Sequence, residues 1–450
     1  MEVKLSKNAK FIIKTLSING FECFAVGGCV RDALLGLEPH DWDFATSAKP
    51  DEIKSCFADC KIYTIGEKFG TIGVSIDDEI FEITTYRKDG DYSDSRHPDE
   101  VEFSSSLESD LSRRDFTVNA IAYNDEKGIV DPFCGANDIK YKVIRCVGEP
   151  DLRFNEDALR ILRAMRFAST YSFSIEMRTH LALLKNKELL QNVAYERIIS
   201  EFEKMLCGDN AEYVLKSFKE VLAVIIPEIS SMFDYDQHTP HHNRDLWMHT
   251  VAALVFLDKE PLLRTTMFFH DIAKPLTARR DPKTGKCHFD NHNALGAEIT
   301  NRIMKRMKYP NEFIKNVNLL IDNHDERLNG DSYKIKKMLN LLGVDLMEDL
   351  FKIQRADIVA QSDYEREEKV RFLDMSIKEY RRILEEHECY SLKELKINGS
   401  DVIHLGVTKG ENIKNVLEYL LDKVQQNEYK NEKDFLIEKA KEYIKSANLI

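Results

Sequence analysis

The stretch Gly27–Thr46, GGCVRDALLGLEPHDWDFAT, limits more than any other what this chain can fold into. It follows a short apolar run, Phe21 to Val26, built of the residue types found in buried strands, and it opens on a Gly-Gly turn. Val30 to Leu37 reads as a short helix closed by Gly36, and Asp41 to Phe44 as a second strand. Side chains alternate across a strand, so Asp41 and Asp43 share a face, about 6–7 Å apart at their α-carbons. Two carboxylates so placed repel each other unless a cation lies between them, and oxygen ligands of this kind suit Mg2+. Gly27 and Gly28 let a backbone turn approach a ligand and aim N–H groups from the start of the next helix, a ready place for phosphate. Arg31 lies one step further on. Metal-binding carboxylates beside a glycine turn and an arginine describe a site for a nucleoside triphosphate and in-line displacement at phosphorus. A surface turn after an ordinary strand–helix junction is the plainer reading of a lone Asp-x-Asp, and the upstream glycines and arginine weigh against it.

Composition narrows the partners. The 450 residues carry 64 Lys and Arg against 77 Asp and Glu, a formal charge of −13, so a nucleic-acid partner has to be held by a local basic surface. No apolar run approaches the ~20 residues that span a bilayer. The first residues, MEVKLSKNAKFIIKTL, read as an amphipathic helix and not as a signal peptide. Nine Cys without a Cys-x-x-Cys pair speak for reduced thiols in a cytoplasmic protein, not for a disulfide framework or a zinc ribbon.

Downstream of the carboxylate strand, residues 49–60 read as a helix and Ile62 to Ile76 as strands punctuated by glycines. Ile80 to Tyr86 alternates, with Glu82 opposite Phe81 and Ile83; Glu82 is either a third carboxylate near the metal or an edge-strand residue in solvent. Arg87 to Pro98 is polar and reads as a mobile loop of the kind that closes over a nucleotide. In Asp110 to Asn124, Arg113 and Arg114 precede Asp115. An arginine there has the fork geometry to grip a triphosphate, and a surface pair with Asp115 is the bland alternative. Asp131 to Ile139 is a turn-rich connector.

Arg153 to Phe167 reads as one helix, with Ala158, Ile161, Leu162, Met165 and Ala168 on a buried stripe. Arg160 and Arg163 fall in the middle of the opposite face, with Asp157 and Arg166 on its shoulders. An Asp157–Arg160 ion pair on a solvated face is one account. The other is a base-reading pair: Asp offers only acceptors and Arg only donors, which matches the amine-plus-ring-nitrogen edges of cytosine and adenine and mismatches uracil and guanine.

GGCVRDALLG with DWD, the segment RRDFTVNA, and EDALRILRAMRF together resemble the bacterial class II tRNA nucleotidyltransferases, the CCA-adding enzymes, and their relatives the bacterial poly(A) polymerases. The resemblance covers about the first 220 residues. It implies an α+β fold: a nucleotidyltransferase head with a mixed β-sheet and helices over 1–150, then an all-α neck over 151–225 for nucleotide and RNA binding, an HD-type body over 226–365 and a helical tail over 366–450. It implies Asp41 and Asp43 as holders of catalytic Mg2+, Gly28, Arg31 and Arg114 as triphosphate contacts, and Asp157, Arg160, Arg163 and Arg166 as the nucleotide-binding helix. The implied activity builds the CCA end of tRNA from CTP and ATP without a nucleic-acid template. Gly66-Glu67-Lys68-Phe69-Gly70-Thr71 is similar to the CCA-adding form and lacks the G-[RK]-[RK]-F of the poly(A) polymerases. Poly(A) synthesis, and an RNA-end hydrolase with a degenerate head, stay as alternatives.

Beyond residue 240, His249, His270-Asp271, His292, His324 and Asp357 resemble the ligand set of the HD metal-dependent phosphohydrolases, which implies a second divalent metal. His238, His241, His242 and His288 read as polar surface. Leu392 to Ile413 contains a helix-turn-helix-like GVTKGENI that resembles the part of the family's tail that touches tRNA.

Overall fold

Short runs of β-branched and aromatic residues, cut by glycine turns, build the sheet of the N-terminal half, and longer periodic runs build helices after it. The computed structural model describes residues 3–90 and 101–449. The chain forms two units, Met1–Pro227 and Glu228–Ile450.

The first unit starts with α1 (Lys7–Ile18), capped by the Ser6 hydroxyl and burying Ala9, Ile12, Ile13 and Leu16. The strands and helices β1 (Cys23–Val26), α2 (Gly28–Leu34), β2 (Asp43–Thr46), α3 (Pro50–Cys56), β3 (Lys61–Tyr63), β4 (Thr71–Ile76) and β5 (Glu79–Thr85) follow. A hairpin of β6 (Arg87–Asp89) and β7 (Val101–Phe103) leads to α4 (Leu107–Ser112), β8 (Ala122–Asn124), β9 (Gly128–Val130) and α5 (Gly135–Tyr141). The main sheet has seven strands in the order β3-β4-β5-β2-β1-β8-β9, with β2 and β5 parallel and the other pairs antiparallel. The segment expected as a loop, Arg87 to Pro98, thus begins as a paired strand, and residues 91–98 lie outside the described residues.

The short strands β10 (Val143–Ile144) and β11 (Ser174–Ile175) pair in parallel around α6 (Pro150–Glu156) and α7 (Leu159–Tyr171). Next come α8 (Met177–Asn186), α9 (Tyr195–Leu206), α10 (Ala211–Ser217) and α11 (Lys219–Ile225). The single helix expected over Arg153 to Phe167 is two. Asp157 is extended, at φ −143°, and its carboxylate accepts the Leu159 N–H at 3.1 Å, a local side-chain bond that competes with helix continuation. The stripe Ala158, Ile161, Leu162, Met165 and Ala168 is buried as its spacing predicts. The opposite face is not solvated, however: Arg160 is only 8% exposed.

The second unit is helical apart from one hairpin. Its elements are α12 (Leu246–Phe256), α13 (Pro261–Phe269), α14 (Lys274–Thr277), the hairpin β12 (Ala278–Arg280) and β13 (Cys287–Phe289), α15 (His292–Arg306), α16 (Asn311–Asn323), α17 (Ser332–Ala360), α18 (Arg366–Glu385), α19 (Gly399–His404), α20 (Gly410–Gln425) and α21 (Lys433–Ser446). Val402, Val407, Val416, Leu420, Leu436 and Ile444 form an apolar core among its last three helices. Among the described residues no helix is long and apolar enough to cross a membrane.

Candidate active site

Asp41 immediately precedes β2 and Asp43 opens it. Both are exposed, whereas Trp42 and Phe44 are buried, so the alternation expected from the sequence puts the two carboxylates on the open side. The parallel pairing of β2 with β5 sets Asp43 opposite Glu82, and beneath them Phe44 packs edge-on against Phe81. Glu82 therefore stands beside Asp43 on the open face of an interior strand, not on an edge strand. Although Asp43 keeps exposed surface, the partial burial of its carboxyl raises its pKa; Arg114 pulls the other way, and the charges of Glu82 and Asp41 add to the rise. A carboxylate held up by its like-charged neighbours is one that a cation would relieve. Their oxygens are not drawn tightly together: no group of three or more ligand atoms within 4.8 Å includes Asp41, Asp43 or Glu82 among the described residues.

The glycine turn lies against an arginine. Gly27 has φ 81°, and a Cβ there would meet Arg114 Nη1 at 2.8 Å. Arg114 is anchored by the buried Asp110, whose Oδ2 lies 3.5 Å from its Nη2. Arg113 also bonds Asp110. The guanidinium of Arg114 thus lies over the Gly27 turn and within electrostatic reach of Asp43. Gly27→Ala would add backbone strain of about 1–2 kcal/mol and push this guanidinium aside. Affinity for a nucleoside triphosphate, read by fluorescence titration, should then fall roughly tenfold.

Arg31 does not stand open toward a triphosphate. It is buried, donates to Asp32 Oδ1 at 2.9 Å, Asn119 Oδ1 at 2.6 Å and the Tyr171 hydroxyl at 2.6 Å, and lies over the rings of Phe167 and Tyr171. Asn119 in turn donates to Asp115 Oδ1 at 3.0 Å, and Asp115 Oδ2 accepts two bonds from Arg163, at 2.9 and 2.6 Å. Burial alone would raise the Asp115 pKa; the Arg163 charge and the Asn119 amide outweigh it and hold the carboxyl far below its usual range. Arg166 pairs with Glu201 at 2.6 Å and lies over the Phe167 ring. Of these supporting partners, Asp115 and Asn119 lie in the RRDFTVNA segment, whereas Tyr171 and Glu201 come from sequence positions that nothing local marks.

Asp157 and Arg160 are neighbours but not partners. Asp157 receives Arg197 through two bonds, at 3.2 and 2.8 Å. Arg160 donates to Glu156 at 2.6 Å and to the carbonyls of Arg153 and Arg113. The ion pair expected between them at i, i+3 is absent from the ion pairs of the described residues.

In the second unit all six expected ligands converge. His249 on α12, His270 and Asp271 at the end of α13, His292 at the start of α15, His324 at the end of α16 and Asp357 on α17 are all buried. Their atoms form two groups within 4.8 Å, His249–His270–Asp271–Asp357 and Asp271–His292–His324. Lys274, which the sequence reading passed over, reaches Asp271 Oδ2 at 2.7 Å. The pocket in front is about 480 Å3. His241, His242 and His288, expected as plain surface, line it; His238 alone of the four does not. Burial and the nearby Lys274 and His249 push the His242 pKa down to about 2.

A family model described as the poly A polymerase head domain matches residues 23–145, and one described as a probable RNA and SrmB-binding site of polymerase A matches 172–233. A third, a putative tRNA nucleotidyltransferase domain 2, matches 294–440. The CCA-adding enzyme of Ligilactobacillus salivarius is 33% identical over 443 residues, 97% of this chain and 96% of that protein. The CCA-adding enzyme of Enterococcus faecalis is 46% identical over 214 residues, 48% of this chain and 52% of its own. Among solved structures, the Bacillus stearothermophilus CCA-adding enzyme in complex with CTP matches with a TM-score of 0.69 and 27% identity over 98% of both chains. The Thermotoga maritima CCA-adding enzyme complexed with tRNA shares the fold, with a TM-score of 0.60 at 21% identity over 98% of this chain and 97% of that one.

Proposed function

The chain belongs to the CCA-adding enzymes, and from that premise we propose that it extends the 3′ end of tRNA by C, C and A, taking CTP and ATP in turn. The observation that carries this reading is the set of carboxylates Asp41, Asp43 and Glu82 on one open face, next to a glycine turn overlain by Arg114. The family uses a divalent metal, and we assign it as Mg2+ held by Asp41 and Asp43; when bound it supplies Lewis acidity to the attacking hydroxyl and to the phosphates. The Gly27–Gly28 turn and Arg114 hold the triphosphate, with its α phosphorus toward the carboxylates. The tRNA 3′ hydroxyl releases its proton to solvent as its oxygen attacks that phosphorus in line, the new P–O bond forms as the bond to pyrophosphate breaks, and Arg114 balances the charge of the departing group. Gly28 and Arg31 act from behind, the first by leaving room at the helix start and the second by fastening α2 to α7 through Tyr171.

We assign residues 1–150 to the catalytic head, 151–225 to the neck, 226–365 to a second helical domain of the HD type and 366–450 to a tail that meets tRNA. The nine cysteines are all free, as suits a reducing cytoplasm. Arg163 and Arg166, tied to Asp115 and Glu201, fix the helix that carries the base-reading pair. Asp157 and Arg160 read the base once they exchange Arg197 and Glu156 for its edge. Exchanging their donor and acceptor pattern should then let UTP and GTP compete with CTP and ATP. Unaltered selectivity in that double variant would assign both residues a structural role only.

Incubation of the chain with CTP, ATP, Mg2+ and a tRNA ending before its CCA tests the function as a whole. Product sequencing should show a CCA end and no more. A long A tail, or shortening of the tRNA, would replace this reading with poly(A) synthesis or with hydrolysis.

A further inference from the structure

Two parts of the first unit must agree for a nucleotide to react: the glycine turn that opens α2, and α7, at whose N-terminal end Asp157 and Arg160 stand. Tyr171, the last residue of α7, connects them. Its hydroxyl accepts from Arg31 Nη2 at 2.6 Å and donates to Asp32 Oδ1 at 3.1 Å, and the same Asp32 oxygen accepts from Arg31 Nε at 2.9 Å. The three side chains close a ring of hydrogen bonds across the two helices. A Cβ on Gly28 would meet that same Nη2 at 3.5 Å, so the bond to Tyr171 sets the guanidinium directly beside the turn.

The phenol is held firmly in this place. Its ring stacks on the buried Phe167, with centroids 6.0 Å apart at 25°, and the Arg31 guanidinium lies 4.6 Å from the Tyr171 centroid and 5.0 Å from that of Phe167. Phe167 is in turn packed edge-on by Phe116 at 5.7 Å. Burial above all, with the charge of Asp32, raises the pKa of the phenol against the pull of Arg31, so the proton it donates to Asp32 stays in place at neutral pH. Arg31 meets α7 at a second point as well, through Asn119 and Asp115 to Arg163. At ~1.5 Å per residue, positions 163 and 171 are about 12 Å apart along the helix axis. A helix pinned at two points so far apart can neither slide nor swing against its neighbour, so α2 and α7 move as one body.

We propose that Tyr171 is a positioning residue for nucleotide selection: acting through Arg31, it keeps the Gly27–Gly28 turn in register with α7, so that only a base accepted by Asp157 and Arg160 brings its α phosphorus to Asp41 and Asp43. The inference rests on the reading of α7 as the helix that carries the base-reading pair. Without the hydroxyl, Arg31 keeps Asn119 and Asp32 but loses its hold on the far end of α7, and the turn is free to follow a triphosphate whose base is mismatched. The loss falls on the alignment of the reacting atoms and not on the contacts that bind the nucleotide; a misplacement of ~1 Å in such an alignment is worth on the order of a hundredfold in rate. KM therefore stays while kcat and discrimination fall.

Tyr171→Phe keeps the stacked ring and removes one hydroxyl. On a tRNA ending before its CCA, this variant of the full chain should show a kcat for CTP lower by roughly tenfold or more, a KM changed by less than about twofold, and UTP incorporation raised roughly tenfold relative to CTP. A tyrosine that only supported the fold would shift the melting transition and leave the UTP to CTP ratio alone, so melting is measured beside the kinetics. Arg31→Lys, which replaces the planar fork by one ammonium, should lose discrimination to the same degree, and the double variant no further than either single one, because both remove the same connection. Wild-type discrimination in Tyr171→Phe, a raised KM with kcat unchanged, or losses that add in the double variant would overturn the inference. If exchanging the pattern of Asp157 and Arg160 alters selectivity and Tyr171→Phe does not, the role of Tyr171 falls alone; if neither does, the base-reading helix falls with it.

Discussion

Asp43→Ala is expected to lower nucleotide incorporation by on the order of a thousandfold or more while leaving tRNA binding nearly unchanged. Charge stabilisation by a bound metal amounts to several kcal/mol at the transition state, and about 4 kcal/mol is a thousandfold in rate. Asp43 shares its face with Asp41 and Glu82, and its removal takes away the carboxylate that opens β2. Loss of folding would mimic this result, but the electrostatics predict the opposite effect on stability. The Asp43 pKa is raised by folding, so above it the ionised carboxyl opposes the folded state, and that opposition disappears as pH falls through the folded pKa. Asp43→Asn should accordingly melt no lower than the wild type in metal-free buffer near neutral pH, and should be as inactive as the alanine variant. A stable, inactive protein that still binds tRNA assigns the loss to chemistry. Incorporation near the wild-type rate would remove Asp43 from the site.

Asp115→Ala should be the most costly single change outside the catalytic face. Asp115 accepts the Phe116 N–H, the Asn119 amide and both donors of Arg163. Through Asn119 it also fixes Arg31. Its removal leaves Arg163 without that carboxylate, and breaking such a pair costs 3–5 kcal/mol when fully buried; with Arg163 side chain 32% exposed, about 3 kcal/mol is expected in urea unfolding. The pH dependence has a definite sign. A carboxyl whose folded pKa is depressed contributes stability above its unfolded value, near 4, and loses that contribution as pH falls toward the folded one. Wild-type stability should therefore decline on acidification below about pH 4, and the Asp115→Ala profile should be flatter over that range. A loss below about 1 kcal/mol would place Asp115 among ordinary surface pairs.

The parts of the site that were legible in the sequence are those fixed by local geometry. The strand period alone puts Asp41 and Asp43 on one face, and the Gly-Gly turn comes directly after an apolar strand, but Arg31 between them is buried against Asn119 and Tyr171. The partner of Asp43 could not be read. Glu82 reaches its place through the parallel register of β2 and β5, a non-local pairing that no spacing encodes. The Arg-rich helix misled for a different reason. Apolar periodicity runs through Asp157 without a break, yet the Asp157 carboxylate bonds the backbone two residues on and starts a new helix. Aspartate before Ala-Leu was the available sign. Arg31, expected to contact a triphosphate, and Arg160, expected to pair with Asp157 or a base, are both buried with donors engaged by other partners. In the second unit the six candidate ligands were legible through the resemblance of their pattern to the HD phosphohydrolases. That five helices bring them to one point is a tertiary fact.

The account rests on a metal shared by Asp41 and Asp43 beside a triphosphate. A crystal of the full chain soaked with Mn2+ and a non-hydrolysable CTP analogue tests this directly, because the anomalous signal locates the ion independently of the nucleotide. The expected map has Mn2+ within about 2.2 Å of a carboxylate oxygen from each aspartate and of a triphosphate oxygen, with the phosphates on the Gly27 turn under Arg114. A triphosphate bound elsewhere, or a Mn2+ peak that neither aspartate reaches, would contradict it.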